Sequence, residues 1–266
     1  MIIENNNKKL RVQVLSDTHT ALPEDTIDLT ADLIVHVGDF GNAGNYFADV
    51  YFKYCKQHNK EFIFVLGNHD YWHNHIDETI KYFKDLGANI LYGSNEIKWK
   101  GYTFIGGTFW SNFRANKLQY DNSLLFDKYK NDCRALIDFT HIGSNQHNGF
   151  VTPEEYVTLN NSEWNHYQQY KNRDDVIVLT HFPPSLVCLD PYWSTHPQGQ
   201  VFNPYFINDR SLKGFSIWLS GHTHTAVDTV IDGCRVIINP YGHSTEQLKG
   251  NGYKDKFCIE LENKGV

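Results

Sequence analysis

Long apolar runs, a surplus of positive charge and paired cysteines are all missing from this chain, and each absence removes a class of protein. No apolar run among its 266 residues reaches the roughly 18 residues of a membrane span. The opening MIIENNNKKLRVQV has no signal-peptide core, so a cytosolic protein with no membrane partner is expected. Lys and Arg number 24 against 31 Asp and Glu, a net charge of −7. That balance argues against an electrostatic grip on a nucleic-acid backbone, so nucleic acid enters only as a substrate. Five cysteines (Cys55, Cys133, Cys188, Cys234, Cys258) are odd in number and form no C-x-x-C pair; reduced, mostly buried thiols follow. Repeats are absent, and so is low complexity beyond the Asn/Lys-rich start. What remains is an ordinary globular composition, 41% hydrophobic and 21% charged, long enough for a substantial core.

Short apolar, β-branched runs recur at 10–16, 32–38, 61–67, 102–107, 175–180, 215–220 and 234–239, with longer amphipathic stretches between them. This alternation predicts an α/β protein whose strands are covered by helices. DETIKYFKDLG (77–87) reads as a helix capped by Asp77, lined by Ile80, Phe83 and Leu86, and ended by Gly87. TPEEY opens another, with Thr152 and Glu155 at capping-box spacing and Pro153 in the first helical position. Residues 1–266 are expected to form one domain, with a helical insert or lid at about 108–174 that covers a site.

Nearly every apolar run ends in a metal-binding side chain. The first delivers Asp17 and His19, the second Asp39, the third Asn68, His69 and Asp70; later runs deliver His181, then His222 and His224. Positions i and i+2 of a strand face the same way, so Asp17/His19 and His222/His224 are each expected to converge. Sites in open α/β sheets gather beyond the carboxyl ends of the strands. Gly38, Gly67 and Gly221 stand beside these side chains, where sharp turns are needed. Mixed carboxylate, imidazole and amide donors suit Mn, Fe or Zn. The set is too large for one tetrahedral ion and suits two, about 3.5–4 Å apart, sharing a carboxylate.

The series D-x-H (17–19), G-D (38–39), G-N-H-D (67–70), T-H (180–181) and G-H-T-H (221–224) closely resembles the calcineurin-like metallophosphoesterase superfamily. The resemblance spans residues 11–243 and implies a four-layer α/β/β/α sandwich with mixed sheets. It implies one metal held by Asp17, His19, Asp39 and His224 and another by Asp39, Asn68, His181 and His222, with Asp39 bridging. His69 is then no ligand but a proton donor to the leaving group. The implied chemistry is hydrolysis of a phosphate ester, in which two cations lower the pKa of a water and polarise the phosphoryl oxygens. A positioning hydrogen bond from His69 without proton transfer is the alternative role.

The chain departs from the protein Ser/Thr phosphatase branch of that superfamily. Where G-D-x-x-D-R-G is usual, GDFGNAG places Asn42 at the second aspartate and Ala43 at the arginine. The acidic partner of the histidine and a phosphate-gripping arginine are thus missing, which argues against a protein phosphatase. GGTFWSNF (106–113), NDCRALID (131–138) and TPEEY (152–156) look more like a bacterial and phage phosphohydrolase branch.

Trp110, Asn112, Phe113 and Arg114 follow a strand end and are candidates to face the metals, Trp110 by stacking and Asn112 by hydrogen bonding. Lid packing is the competing reading. Arg114 and Arg134 are candidates to neutralise phosphate, with surface salt bridges the alternative. His36 reads as a core or supporting residue, His73 and His75 as loop residues that can line a cleft, and Tyr241 and His243 as a possible border of the site. The stretch 186–212, with Tyr192, Trp193, His196 and Phe202, is a candidate second wall. The reading that emerges is a dinuclear phosphoesterase leaning to small-molecule or nucleotide phosphodiesters. A nuclease and a non-catalytic metal-binding scaffold are the alternatives, and nothing sets the oligomeric state.

Overall fold

The computed structural model describes residues 9–19, 21–42, 44–115, 136–195 and 205–264. Ala43, Cys133, Arg134, His196 and Phe202 lie outside the described residues, as does the side chain of Trp193.

Among the described residues, five strands form one sheet and six another. In chain order they are β1 (Leu10–Leu15), β2 (Leu33–Val37), β3 (Phe62–Val65), β4 (Asn89–Ile90), β5 (Glu96–Trp99), β6 (Tyr102–Gly107), β7 (Val176–Thr180), β8 (Ile217–Ser220), β9 (Val227–Ile231), β10 (Cys234–Ile238) and β11 (Cys258–Leu261). The sheets run β11-β1-β2-β3-β4 and β5-β6-β7-β8-β10-β9. Central pairs are parallel, for example Val14 beside Val35 and Leu179 beside Leu219. The edge strands β11, β5 and β9 pair antiparallel.

The period-two alternation of side chains accounts for the layering. Val12, Val14, Leu33, Val35, Val37, Ile63 and Val65 of the first sheet share a core with Phe104, Ile177, Leu179, Leu219 and Ile237 of the second. Their neighbours point outward. Ile34, Phe62 and Phe64 meet helix Tyr46–Gln57 through Tyr51 and Cys55, and helix Ile76–Asp85 through Phe83. Val176, Val178 and Trp218 meet Tyr167 of helix Pro153–Tyr167. Both faces of each sheet are therefore covered, which is why the strands read as continuous apolar runs. The result is the four-layer sandwich.

The helix expected from Asp77 begins at Ile76 with His75 at its cap. Asp77 instead sits in the first turn, where its charge favours the helix N-terminus, and Gly87 follows the C-cap Leu86 at φ 71° as expected. The Thr152–Glu155 capping box forms in both directions. Cys55, Cys188, Cys234 and Cys258 are free thiols, the first three buried. No helix among the described residues is long and apolar enough to cross a membrane.

Candidate metal centre

The expected ligands sit past the strand ends rather than on the strands. β1 ends at Leu15 and β8 at Ser220, and Asp17, His19, Asp39, His222 and His224 all adopt left-handed backbone, with φ between 48° and 71°. Convergence therefore comes from left-handed turns and not from the strand alternation expected above. Such conformations are costly for residues with a Cβ and gather where surrounding structure holds them for a function. Here the loops hold one another: Asp17 N donates to Gly38 O at 2.9 Å, His19 N to Asp39 O at 3.0 Å and Gly221 N to His181 O at 3.0 Å.

Two glycines are needed for this approach. A Cβ on Gly67 would lie 2.1 Å from Asp39 Oδ1, and one on Gly38, itself at φ 93°, 2.6 Å from His181 Nδ1. The buried carboxylate of Asp70, one of the metal-binding residue types at the end of the third run, stands outside both ligand clusters and splices the same loops. Its oxygens accept from Gly67 N at 2.8 Å, Asp39 N at 2.9 Å and Phe40 N at 3.0 Å.

Asp39 is common to two clusters. Asp17, His19, Asp39 and His224 offer ligand atoms all within 4.8 Å of one another, and Asp39, His181 and His222 form a second such group. His181 Nε2 lies 3.2 Å from Asp39 Oδ2, 3.2 Å from Asn68 Oδ1 and 3.2 Å from His222 Nδ1. One ring nitrogen cannot satisfy all three, so donor atoms crowd around a common point. Asp17 Oδ2 and His222 Nε2 are buried without a hydrogen-bond partner, a costly state for polar atoms that a cation relieves. The residues present fit a pair of metal ions.

The imidazoles are anchored by their other nitrogen, as metal ligands usually are. Nδ1–H of His19 donates to Asn42 Oδ1 at 2.8 Å, that of His181 to Val37 O at 2.8 Å and that of His224 to Glu246 Oε2 at 2.8 Å. Each leaves Nε2 facing the cluster. His69 belongs to neither group. Its backbone N donates to Asp39 Oδ1 at 3.0 Å, its Nδ1–H donates to the same Asn42 oxygen at 2.9 Å, and its ring stacks on Trp72 at 3.7 Å. Nε2 then points inward, 3.9 Å from Asp39 Oδ2.

Without a cation, the charges balance by sharing protons. Burial pushes the Asp39 carboxyl up, but the charges of His181, His69 and His19 outweigh it and hold it well below the usual range. Asp17 is likewise held low against burial by the hydrogen bond and charge of His224. Burial disfavours a charged His181, yet Asp39 lifts it to about 9; against the same penalty, Asp17 and Glu246 lift His224 to about 10. Burial takes His19 down to about 4.

The neighbouring candidates divide. His243 stacks on His19 at 4.1 Å and groups with His19 and His224, so it borders the cluster. Tyr241 joins the site loop through its backbone, N to Ser16 O at 2.9 Å, while its ring meets Tyr253. Trp110 does not offer a stacking face. It is 2% exposed and packs at 4.2 Å on Tyr156 and at 5.9 Å on Phe182, because the chain after β6 dives beneath helix Pro153–Tyr167. Asn112 is also buried, its Oδ1 accepting from Arg114 N at 3.0 Å and its N donating to Asn208 Oδ1 at 3.1 Å. These two are corrected to packing and turn residues, while the side chain of Arg114 is exposed. His36 is a supporting residue: buried, stacked on Phe40 at 3.6 Å, and 3.0 Å from Thr18 Oγ1. His73 and His75 line a cleft of about 560 Å³ with His141 and Phe150, and no residue of the two clusters lines it.

The comparisons with known proteins follow this geometry. Residues 10–226 match the family described as Calcineurin-like phosphoesterase. The chain belongs to the calcineurin-like phosphoesterase family. As a member it is a metal-dependent phosphoric ester hydrolase. Among solved structures, the phosphopantetheinyl hydrolase of Mycobacterium tuberculosis is similar over 95% of this phosphoesterase and 96% of that chain, at 13% identity and a TM-score of 0.67. A dimetal phosphatase of Danio rerio aligns over 86% of each chain at 12% identity and a TM-score of 0.46. The first likeness shows the shared fold. A comparison with curated proteins finds no match.

Proposed function

We propose that this phosphoesterase hydrolyses a phosphodiester of a small molecule or nucleotide, with the two metal ions held by Asp17, His19, Asp39 and His224 and by Asp39, Asn68, His181 and His222. The observation that carries this reading is the position of Asp39, shared by both clusters of ligand atoms. Bound there, two cations such as Mn, Fe or Zn supply an activated water and polarise the phosphoryl oxygens. The chain's own residues do the rest. Asp39 sits between the two clusters, Asn42 fixes the ring nitrogens of His19 and His69, and His69 Nε2 is placed to give a proton to the departing oxygen.

The preference for a diester rests on charge. A monoester dianion needs more cationic support than a singly charged diester, and the arginine position of the protein phosphatase branch is Ala43 here. A nuclease reading gains nothing from a net charge of −7.

The test is metal analysis coupled to turnover of nitrophenyl phosphate and bis-nitrophenyl phosphate by the reconstituted enzyme. Two ions per chain with faster diester turnover support the reading. Faster monoester turnover overturns the diester preference, and an inert, metal-free protein overturns the whole assignment.

A further inference from the structure

A second buried carboxylate, Asp138, lies behind the centre and meets the expected ligands through Asn68. It begins the short helix Asp138–His141 and is 1% exposed. Its four partners are all neutral donors, drawn from three segments. Oδ1 accepts from Asn68 Nδ2 at 3.1 Å and from Trp72 Nε1 at 2.8 Å; Oδ2 accepts from the hydroxyl of Tyr156 at 3.1 Å and from that of Tyr205. A polar group so buried needs such donors.

We propose that Asp138 is the positioning residue that turns the Asn68 amide oxygen-first toward His181 and, through the Trp72 indole, sets the ring of His69. The Asn68 side chain is a primary amide. Its two ends have nearly the same shape, so packing alone chooses poorly between them. The Trp72 indole N–H can only donate and already points at Asp138 Oδ1, so that oxygen is an acceptor and the NH2 end of Asn68 faces it. Oδ1 is then delivered 3.2 Å from His181 Nε2. The same Asp138 oxygen grips Trp72 Nε1, and that indole carries the His69 ring at 3.7 Å with 28° between the planes. One carboxylate from the 108–174 segment thereby orients an expected metal ligand and the support of the expected proton donor.

This inference rests on the ligand assignment proposed above, and the variants separate the two. Mn2+ or Zn2+ titration of the wild-type protein tests the assignment: fewer than two ions overturns the assignment itself. Asp138→Ala is expected to weaken one ion about 10–100-fold, as loss of such an orienting partner commonly does, while the other keeps its affinity. Asn68→Asp in that background should restore the weakened ion, because a carboxylate presents oxygen whichever way it turns. A residue that only stabilises the fold would lower both ions together, and the second change would rescue neither; that pattern overturns the proposal. Should Asp138→Ala not fold, Asn68→Asp alone decides. It sets two carboxylates 3.1 Å apart and is expected to weaken the ion despite its added negative charge; tighter binding overturns the proposal.

The metal-free protein gives an independent reading. The Asn68 side-chain amide protons should be protected and shifted downfield by Asp138 in nuclear magnetic resonance spectra. Asp138→Asn should largely keep that signal, since its remaining oxygen can face Asn68 while its NH2 meets the two tyrosine hydroxyls. Asp138→Ala should lose it, and retention of the signal in Asp138→Ala overturns the proposal.

Discussion

The side-chain oxygen of Asn42 lies 2.9 Å from His69 Nδ1. The same atom is 2.8 Å from His19 Nδ1, so one neutral amide orients both a ring at the edge of the first cluster and the ring set above the centre. An aspartate there favours the charged form of each imidazole. Asn42→Asp is therefore expected to move the alkaline limb of the pH–rate profile upward and, by backing the His19 ring with a carboxylate, to make it a more basic metal ligand. Profiles with the metal held saturating check the first effect. An unmoved limb would show that His69 does not carry the proton.

His69→Ala should spare the metal content, since His69 stands outside both clusters. Turnover should fall by about 10²–10⁴-fold for esters with poor leaving groups and much less for nitrophenyl esters, whose leaving oxygen needs no proton. Rates across a leaving-group series measure this, and equal losses at both ends contradict the proton-donor role.

Asp39→Asn should weaken both ions, because the residue belongs to both clusters and a neutral amide bridges cations poorly. Metal analysis after dialysis reads the result directly. Two tightly retained ions would place the bridge elsewhere.

Gly67→Ala brings a methyl to 2.1 Å from Asp39 Oδ1, too close to be absorbed without moving the loop. The expected cost is roughly 1–3 kcal/mol of stability, with a larger proportional loss of metal affinity. Chemical denaturation and metal titration of the same preparation separate the two effects.

The metal-free protein should lose stability as the solution turns alkaline. His181 and His224 are lifted from 6.5 to about 9 and about 10 by their carboxylate partners. A raised folded pKa contributes stability that is complete below pH 6.5 and fades as pH climbs through 9 and 10, by at most about 1.4 kcal/mol per pH unit for each proton. Melting temperatures between pH 7 and 10 check the direction. Metal uptake demands neutral rings, so loading near pH 7 should release protons. Calorimetry in two buffers of different ionisation heat detects them.

Much of this was legible in the chain because the strands carrying the site are buried on both faces. Leu33–Val37 and Val176–Thr180 are buried throughout and apolar but for His36 and Thr180, leaving the polar residues beyond their ends conspicuous. The strands that escaped notice are short or lie at edges. Asn89–Ile90 has two residues, and Val227–Ile231 alternates half-buried with exposed positions that resemble a loop. The left-handed turns at Asp17 and His222 were hidden because strand alternation suggests the same convergence for a different reason. Asp138 and Glu246 pair with residues remote in sequence, and no local spacing announces such contacts. Trp110 misled because an aromatic after a strand end is equally suited to a cleft wall or a core, and only the position of helix Pro153–Tyr167 decides between them.

The turned backbone at Asp17, His19, Asp39, His222 and His224 limits how this centre can be re-engineered. Among residues with a Cβ, aspartate, asparagine and histidine tolerate that conformation best, and branched side chains tolerate it worst. The alphabet for retuning metal preference at these five places is accordingly short: oxygen can be traded for nitrogen among those three residues. A threonine or valine would be rejected by the main chain before its donor chemistry mattered.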